Sequence, residues 1–178
     1  LSSVLNLSKL EAGEMGLSRT PVDVGAELED AADLFEIKTE DADLTLTVDT
    51  PDRSLWACAD PNGLQVVLKN LFSNAVKFTG SGGTIHARAH TTDSAVIVEI
   101  EDTGIGMDPD RVSALFGAFK QASEGVGREY EGTGLGLAVT REAVDQMGGS
   151  IDVETEKGTG TCFTVRLPHA DETPNASA

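Results

Sequence analysis

Cysteine is scarce: Cys58 and Cys162 are the two in 178 residues, far apart and without a histidine cluster beside either. This argues against a disulfide framework and against a zinc site of ordinary ligand spacing. It reads as two buried free thiols in a reducing cytoplasm. Long apolar runs are missing too. None approaches the roughly 18 residues that crossing a bilayer requires, so the chain is expected to be soluble and cytoplasmic, with any membrane anchor lying upstream. Neither an initiator methionine nor a signal segment stands at Leu1, so the chain reads as a piece of a longer protein. Basic residues are few, 13 against 30 acidic ones, for a formal net charge of -17. The acids are scattered along the chain, which disfavours a bare polyanion such as nucleic acid as partner. Two readings of that acidic surface stay open: a high-salt cytoplasm, where screening removes self-repulsion, or a plain solvated face.

What is present is globular, with 39% hydrophobic and 24% charged residues. Residues 16–168 read as one domain, 1–15 as the end of a preceding helix, and 169–178 as a disordered tail. Helical spacing of Leu28, Ala31, Leu34 and Phe35 predicts a helix over 24–37. Alternation of Leu44, Leu46 and Val48 predicts a strand, and a short strand at 56–59 precedes the helix-start signal Asp60-Pro61-Asn62, with the helix running to Phe78. Strands are expected at 84–89, 95–102, 150–155 and 161–167, a short helix from Asp108 to near Phe116, a mobile loop over 120–132 and a helix over 134–147. Helices and strands without regular βαβ alternation point to a two-layer α/β sandwich.

Three features carry chemistry. On the helix ending at Phe78, Leu64, Val67, Leu68, Leu71, Phe72 and Ala75 share the buried sector, while Asn70, Asn74 and Lys77 form a stripe beside it. Amide oxygens can ligate Mg²⁺, and amide donors and an ammonium can meet phosphates. The same stripe would also serve as a solvated face. Asp102-Thr103-Gly104-Ile105-Gly106 follows a patterned strand, where the carboxylate could accept from an adenine amino group and the glycines admit the base. An ordinary turn uses the same residues. Gly132-Thr133-Gly134-Leu135-Gly136-Leu137 precedes a helix and could cradle an anion. Its context fits neither a dinucleotide-binding fold nor a P-loop.

Taken in order, the runs Asn70 to Thr79, Asp102 to Met107 and Gly132 to Leu137 resemble the N box and the two glycine boxes of the histidine kinase and GHKL ATPase superfamily. Leu115-Phe116 with Phe119 and Gln121 resembles its phenylalanine box, Arg128 with Tyr130 the end of its ATP lid, and Leu7 to Gly13 the exit from its dimerisation helices. The resemblance implies the Bergerat ATP-binding fold, an α+β sandwich whose mixed, mostly antiparallel sheet is covered by helices on one face. Residues 1–15 would close the dimerisation and phosphoacceptor domain, and 16–168 would be the catalytic domain of a sensor histidine kinase. Asn70 and Asn74 would hold Mg²⁺ and phosphates, with Asn70, Lys77 and Arg128 taking catalytic roles. Asp102 would meet the adenine amino group, and Gly104 and Gly106 would admit the base. Gly132, Thr133, Gly134, Leu135 and Gly136 would lie along the phosphates, Phe116 would anchor the lid, and Thr161 would close the pocket. ATP and Mg²⁺ are the implied cofactors. The implied partners are the parent's own helical domain and a response regulator receiver domain.

In the family an imidazole on the helical domain receives the γ-phosphoryl group. None of His86, His90 and His169 sits on a predicted helix next to an acidic residue, so the fragment is expected to bind Mg·ATP, to remain monomeric and not to phosphorylate itself. Val66 stands where relatives often carry Glu, Gln or His. Valine cannot take a proton, so negligible ATPase activity is expected. Glu131, where relatives often have glycine, is a smaller departure. The rival readings are a GHKL ATPase of the topoisomerase, chaperone or mismatch-repair kind and a degenerate nucleotide-sensing module.

Overall fold

The computed structural model describes residues 16–108, 110, 112 and 134–170, with 134–136 described as backbone alone. The expected helix end at 1–12, the short helix after Asp108 and the loop over 120–132 lie outside the described residues or nearly so.

A small antiparallel sheet pairs β1 (Thr20–Asp23) with β3 (Trp56–Ala59). The main sheet takes β2 (Thr45–Asp49), β4 (Thr84–Thr91), β5 (Ala95–Asp102), β6 (Ser150–Glu156) and β7 (Gly160–Pro168) in the order β2-β4-β5-β7-β6. Only the β2–β4 pair is parallel; the other three pairings are antiparallel. Helices α1 (Val24–Asp33), α3 (Pro61–Phe78) and α4 (Gly134–Gln146) contribute to the core together with one face of this sheet. The short α2 (Glu36–Asp41) follows α1. This is the α+β sandwich with a mixed, mostly antiparallel sheet expected from the sequence.

The core forms where the two periodicities meet. Ile85, Ala87 and Ala89 on β4, Val96, Val98 and Ile100 on β5, and Phe163, Val165 and Leu167 on β7 alternate inward. They meet Leu28 of α1, Leu64, Val67, Leu68, Leu71 and Phe72 of α3, and Leu137, Ala143 and Val144 of α4 in one cluster.

Helix α3 is fixed at its start by Asp60. Its Oδ1 accepts from Gly63 N–H at 2.8 Å, its Oδ2 accepts from Ser18 N–H at 2.9 Å, and Pro61 occupies the first turn. Such a cap stabilises a helix by about 1 kcal/mol. The segment entering the domain therefore touches both long helices, because Arg19 Nη1 also lies 3.5 Å from the carbonyl of Met147 just past the end of α4.

Two expectations change. The single helix predicted over 24–37 is broken at Leu34 and Phe35, because Phe35 turns inward and stacks on Phe72 with ring centroids 5.6 Å apart. Leu34 and Ile37 are left exposed. Strand β1, not anticipated, has only four residues and gains its pairing from β3, a partner distant in sequence. His169 and Ala170, assigned to the tail by sequence, are still bonded: His169 bridges Ala57, and Ala170 N–H donates to Trp56 O at 3.1 Å. Cys58 and Cys162 are free and half-buried, not fully buried as expected.

Candidate functional site

A cleft opens between α3, the start of α4 and the ends of β5 and β7. Its lining comprises Asn74, Phe78, Asp102, Gly106, Met107, Leu137, Thr161 and Phe163. Asn74 and Asp102, 28 positions apart by their numbers, thus face one space, and both are buried.

The floor is built by close backbone contact. Helix α3 ends at Phe78 because Thr79 adopts extended angles, its hydroxyl donating back to Ala75 O at 2.7 Å. The Phe78 carbonyl accepts from Ile105 N–H at 3.1 Å, and Ile105 O accepts from Gly158 N–H at 2.7 Å. The segment 103–106 is therefore held between the end of α3 and the β6–β7 turn. Glycine is required at two of its positions. A Cβ on Gly104 would fall 2.3 Å from Phe78 O, and one on Gly106, whose φ is +65°, would fall 1.9 Å from Glu156 O.

Asp102 is the electrostatic centre. Burial pushes its carboxyl above the usual carboxylate range, opposed by the amides of Gly104 and Thr161, while Glu101 adds a smaller upward push. The Gly104 N–H reaches Oδ1 at 2.9 Å. A buried carboxylate held by amides can still accept from a further donor, since each oxygen carries two lone pairs. An amino group on a planar base meets that need; a keto oxygen would be repelled.

The structure brings together part of the predicted site that it describes. Asn74, Asp102, Gly106 and Thr161 line the cleft, with Gly104 buried in its floor. Asn70, one turn before Asn74, is half-buried and donates from Nδ2 to Thr140 Oγ1 on α4 at 3.3 Å, tying the two helices. Lys77 is exposed and is not among the lining residues; its Nζ stands 5.6 Å from the centroid of the Phe78 ring. Gly134, Leu135 and Gly136 form the first turn of α4, and Leu137 lines the cleft. Phe116, Phe119, Arg128, Glu131, Gly132 and Thr133 lie outside the described residues. Val66 is half-buried. Phe78, Met107, Leu137 and Phe163 line the cleft without a site role expected from the sequence, and Thr140 was not foreseen as the partner of Asn70. Phe163 had a signal, because the β7 alternation puts it on the same face as Thr161; Thr140 had none, since its role needs the α3–α4 packing.

Comparison with known proteins agrees with this arrangement. The model of the family described as histidine kinase-, DNA gyrase B- and HSP90-like ATPases matches residues 59–171, and the chain belongs to that family. Its fold is that of histidine kinase catalytic domains. The circadian input-output histidine kinase CikA of Synechococcus elongatus is 35% identical over 170 residues, 94% of this chain and 22% of CikA. Among solved structures, full-length ShkA in complex with AMPPNP superposes with a TM-score of 0.78 at 31% identity, over 97% of this chain and 35% of ShkA. The catalytic domain of histidine kinase ThkA gives 0.73 at 25% identity, over 85% of this chain and 96% of that domain. The chain spans about a fifth of the length of the curated relatives it matches. It is an ATP-binding domain of the kind these kinases carry. Among the described residues no helix is long and apolar enough to cross a membrane.

Proposed function

We propose that this domain binds Mg·ATP in the cleft and, within its parent protein, supplies the γ-phosphoryl group to a histidine on an adjoining helical domain, for relay to an aspartate of a response regulator. The observation that carries this reading is the buried Asp102 carboxylate sharing one cleft with the Asn74 amide. Asp102 would receive the purine amino group. Asn70 and Asn74 offer the amide oxygens that suit Mg²⁺, which binds through few protein ligands and completes its shell with phosphates and water. Lys77 and Arg128 are the cations assigned to the phosphates, and the glycines from Gly132 to Gly136 the backbone along them, with Thr133 adding a hydroxyl. Residues 1–15 would belong to the helical domain and 16–168 to the catalytic unit, in the cytoplasm.

Phosphoryl transfer asks the protein for positioning and charge neutralisation more than covalent chemistry. Val66 cannot serve as a base for water, which supports transfer to a histidine over hydrolysis. Titration with Mg·AMPPNP should saturate with the wild-type chain and weaken about tenfold or more in Asn74→Ala. No saturable binding by the wild type would end the proposal. Incubation with Mg·ATP and the parent's helical domain should place acid-labile phosphate on that domain; its absence, with binding intact, would leave a nucleotide-sensing module.

A further inference from the structure

The hydroxyl of Thr155, on β6, accepts from Met107 N–H at 2.8 Å, lies 2.9 Å from the hydroxyl of Thr161 and stands 3.2 Å from the carbonyl of Gly160. Met107 and Thr161 line the cleft; Thr155 does not. It is therefore a hidden junction between two parts of the cleft wall.

A hydroxyl has one proton and two lone pairs, and Met107 occupies one lone pair here. If the Thr155 proton goes to Gly160 O, the contact with Thr161 requires Thr161 to donate, and Thr161 then turns only lone pairs to the cleft. If the proton goes to Thr161, the proton of Thr161 itself is released toward the cleft. The sense of one bond outside the cleft thus decides whether Thr161 acts inside it as donor or acceptor. Thr161 is the cross-strand partner of Asp102 in the β5–β7 register. Asp102, when ionised, can only accept. The edge of an adenine presents an amino donor beside a ring-nitrogen acceptor, and its complement is an acceptor beside a donor.

Resting on the adenine reading of Asp102 above, we infer that Thr155 is a positioning residue for base recognition: by donating to Thr161 it occupies a lone pair of that hydroxyl and aims its proton toward the ring nitrogen of adenine. Its bond to Met107 holds the facing wall in place. Thr155 touches no part of the nucleotide and acts through Thr161.

The test is calorimetric titration of the whole chain with ADP and with 1-deaza-ADP, which keeps the amino group but carries C–H in place of the ring-nitrogen acceptor. Valine leaves Thr161 its proton and removes only the bond that aims it, so Thr155→Val should weaken ADP about fivefold while changing 1-deaza-ADP by less than about twofold, and Thr155→Ser should bind both within about twofold of wild type. Equal weakening of both nucleotides in Thr155→Val, or no weakening of ADP, would overturn the inference. Thermal unfolding followed in parallel reports on folding, and if Thr155→Val does not fold, Thr155→Cys, a weak donor of similar size, makes the same comparison. Failure of the wild type to bind ADP at all would instead remove the adenine reading on which this rests.

Discussion

Glu101 and Asp102 are consecutive acids on one strand, and the pleat sends them to opposite faces of the same sheet. Glu101 is exposed, 3.5 Å from Arg88 Nη2, on a face that also pairs Arg88 with Glu99, His90 with Glu99, His86 with Asp49 and Arg166 with Asp152. Arg88 Nε lies 3.4 Å from Glu99 yet is not aligned for a hydrogen bond. On this face the arginines and their acidic partners neutralise one another in water, where each pair is worth little. Asp102 is buried with two backbone amides as partners, and its pKa rises. Residue type is nearly the same in the two positions; burial makes one a surface charge and the other a carboxyl facing an enclosed cleft, the group proposed above to recognise the base. A buried carboxylate that costs the fold stability is the kind of feature a binding site retains.

The sharpest way to break this contrast is to disturb the floor that holds Asp102 in place. Gly106→Ala forces a side chain onto a left-handed residue and against the Glu156 carbonyl, so denaturant unfolding should show a loss of about 3 kcal/mol or more, or no folded protein. A loss under about 1 kcal/mol would mean that the segment is not clamped as described.

Asp102→Asn should weaken Mg·AMPPNP about 10- to 100-fold, and it should change the pH dependence of the ligand-free domain. The raised pKa means that the folded state holds this proton more tightly than the unfolded chain does. Its contribution to stability is therefore full below the ordinary value of 3.8 and is lost as pH rises through the folded value. Wild-type stability measured relative to Asp102→Asn should accordingly decline as pH climbs above 3.8 and then level. A difference that stays flat, or rises, would contradict the assigned direction.

The smallest effect belongs to the open face. Arg166→Ala removes a partner of Asp152 in a pair whose side chains are 46% and 66% exposed, and it should change stability by about 0.5 kcal/mol or less. A loss comparable with that of Gly106→Ala would erase the distinction between the two faces.

Much of this was legible in the chain. Alternation along β4, β5 and β7 marked the strands, Asp60-Pro61 marked the start of α3, and the ordered motifs placed Asn74 and Asp102 in one site before any coordinates. The break at Leu34 and Phe35 was not legible, because a helical repeat continues through it and only the Phe72 ring makes the inward turn of Phe35 favourable. Nor was the ordering of His169 and Ala170, whose bonds go to β3, more than 100 residues earlier by their numbers.

Local patterning by itself determined most element types and the layered class, since periodicity, caps and glycine positions act over a few neighbouring residues, and the ordered motifs, through their resemblance to the family, pointed to Asn74 and Asp102 in one cleft. The tertiary structure alone decided that Asp102 is buried while Glu101 is not, that Asn70 is tied to Thr140, and that Thr155 joins Met107 to Thr161. Those facts depend on which distant segments pack together, and packing sets both the local dielectric and the partners each polar atom can reach.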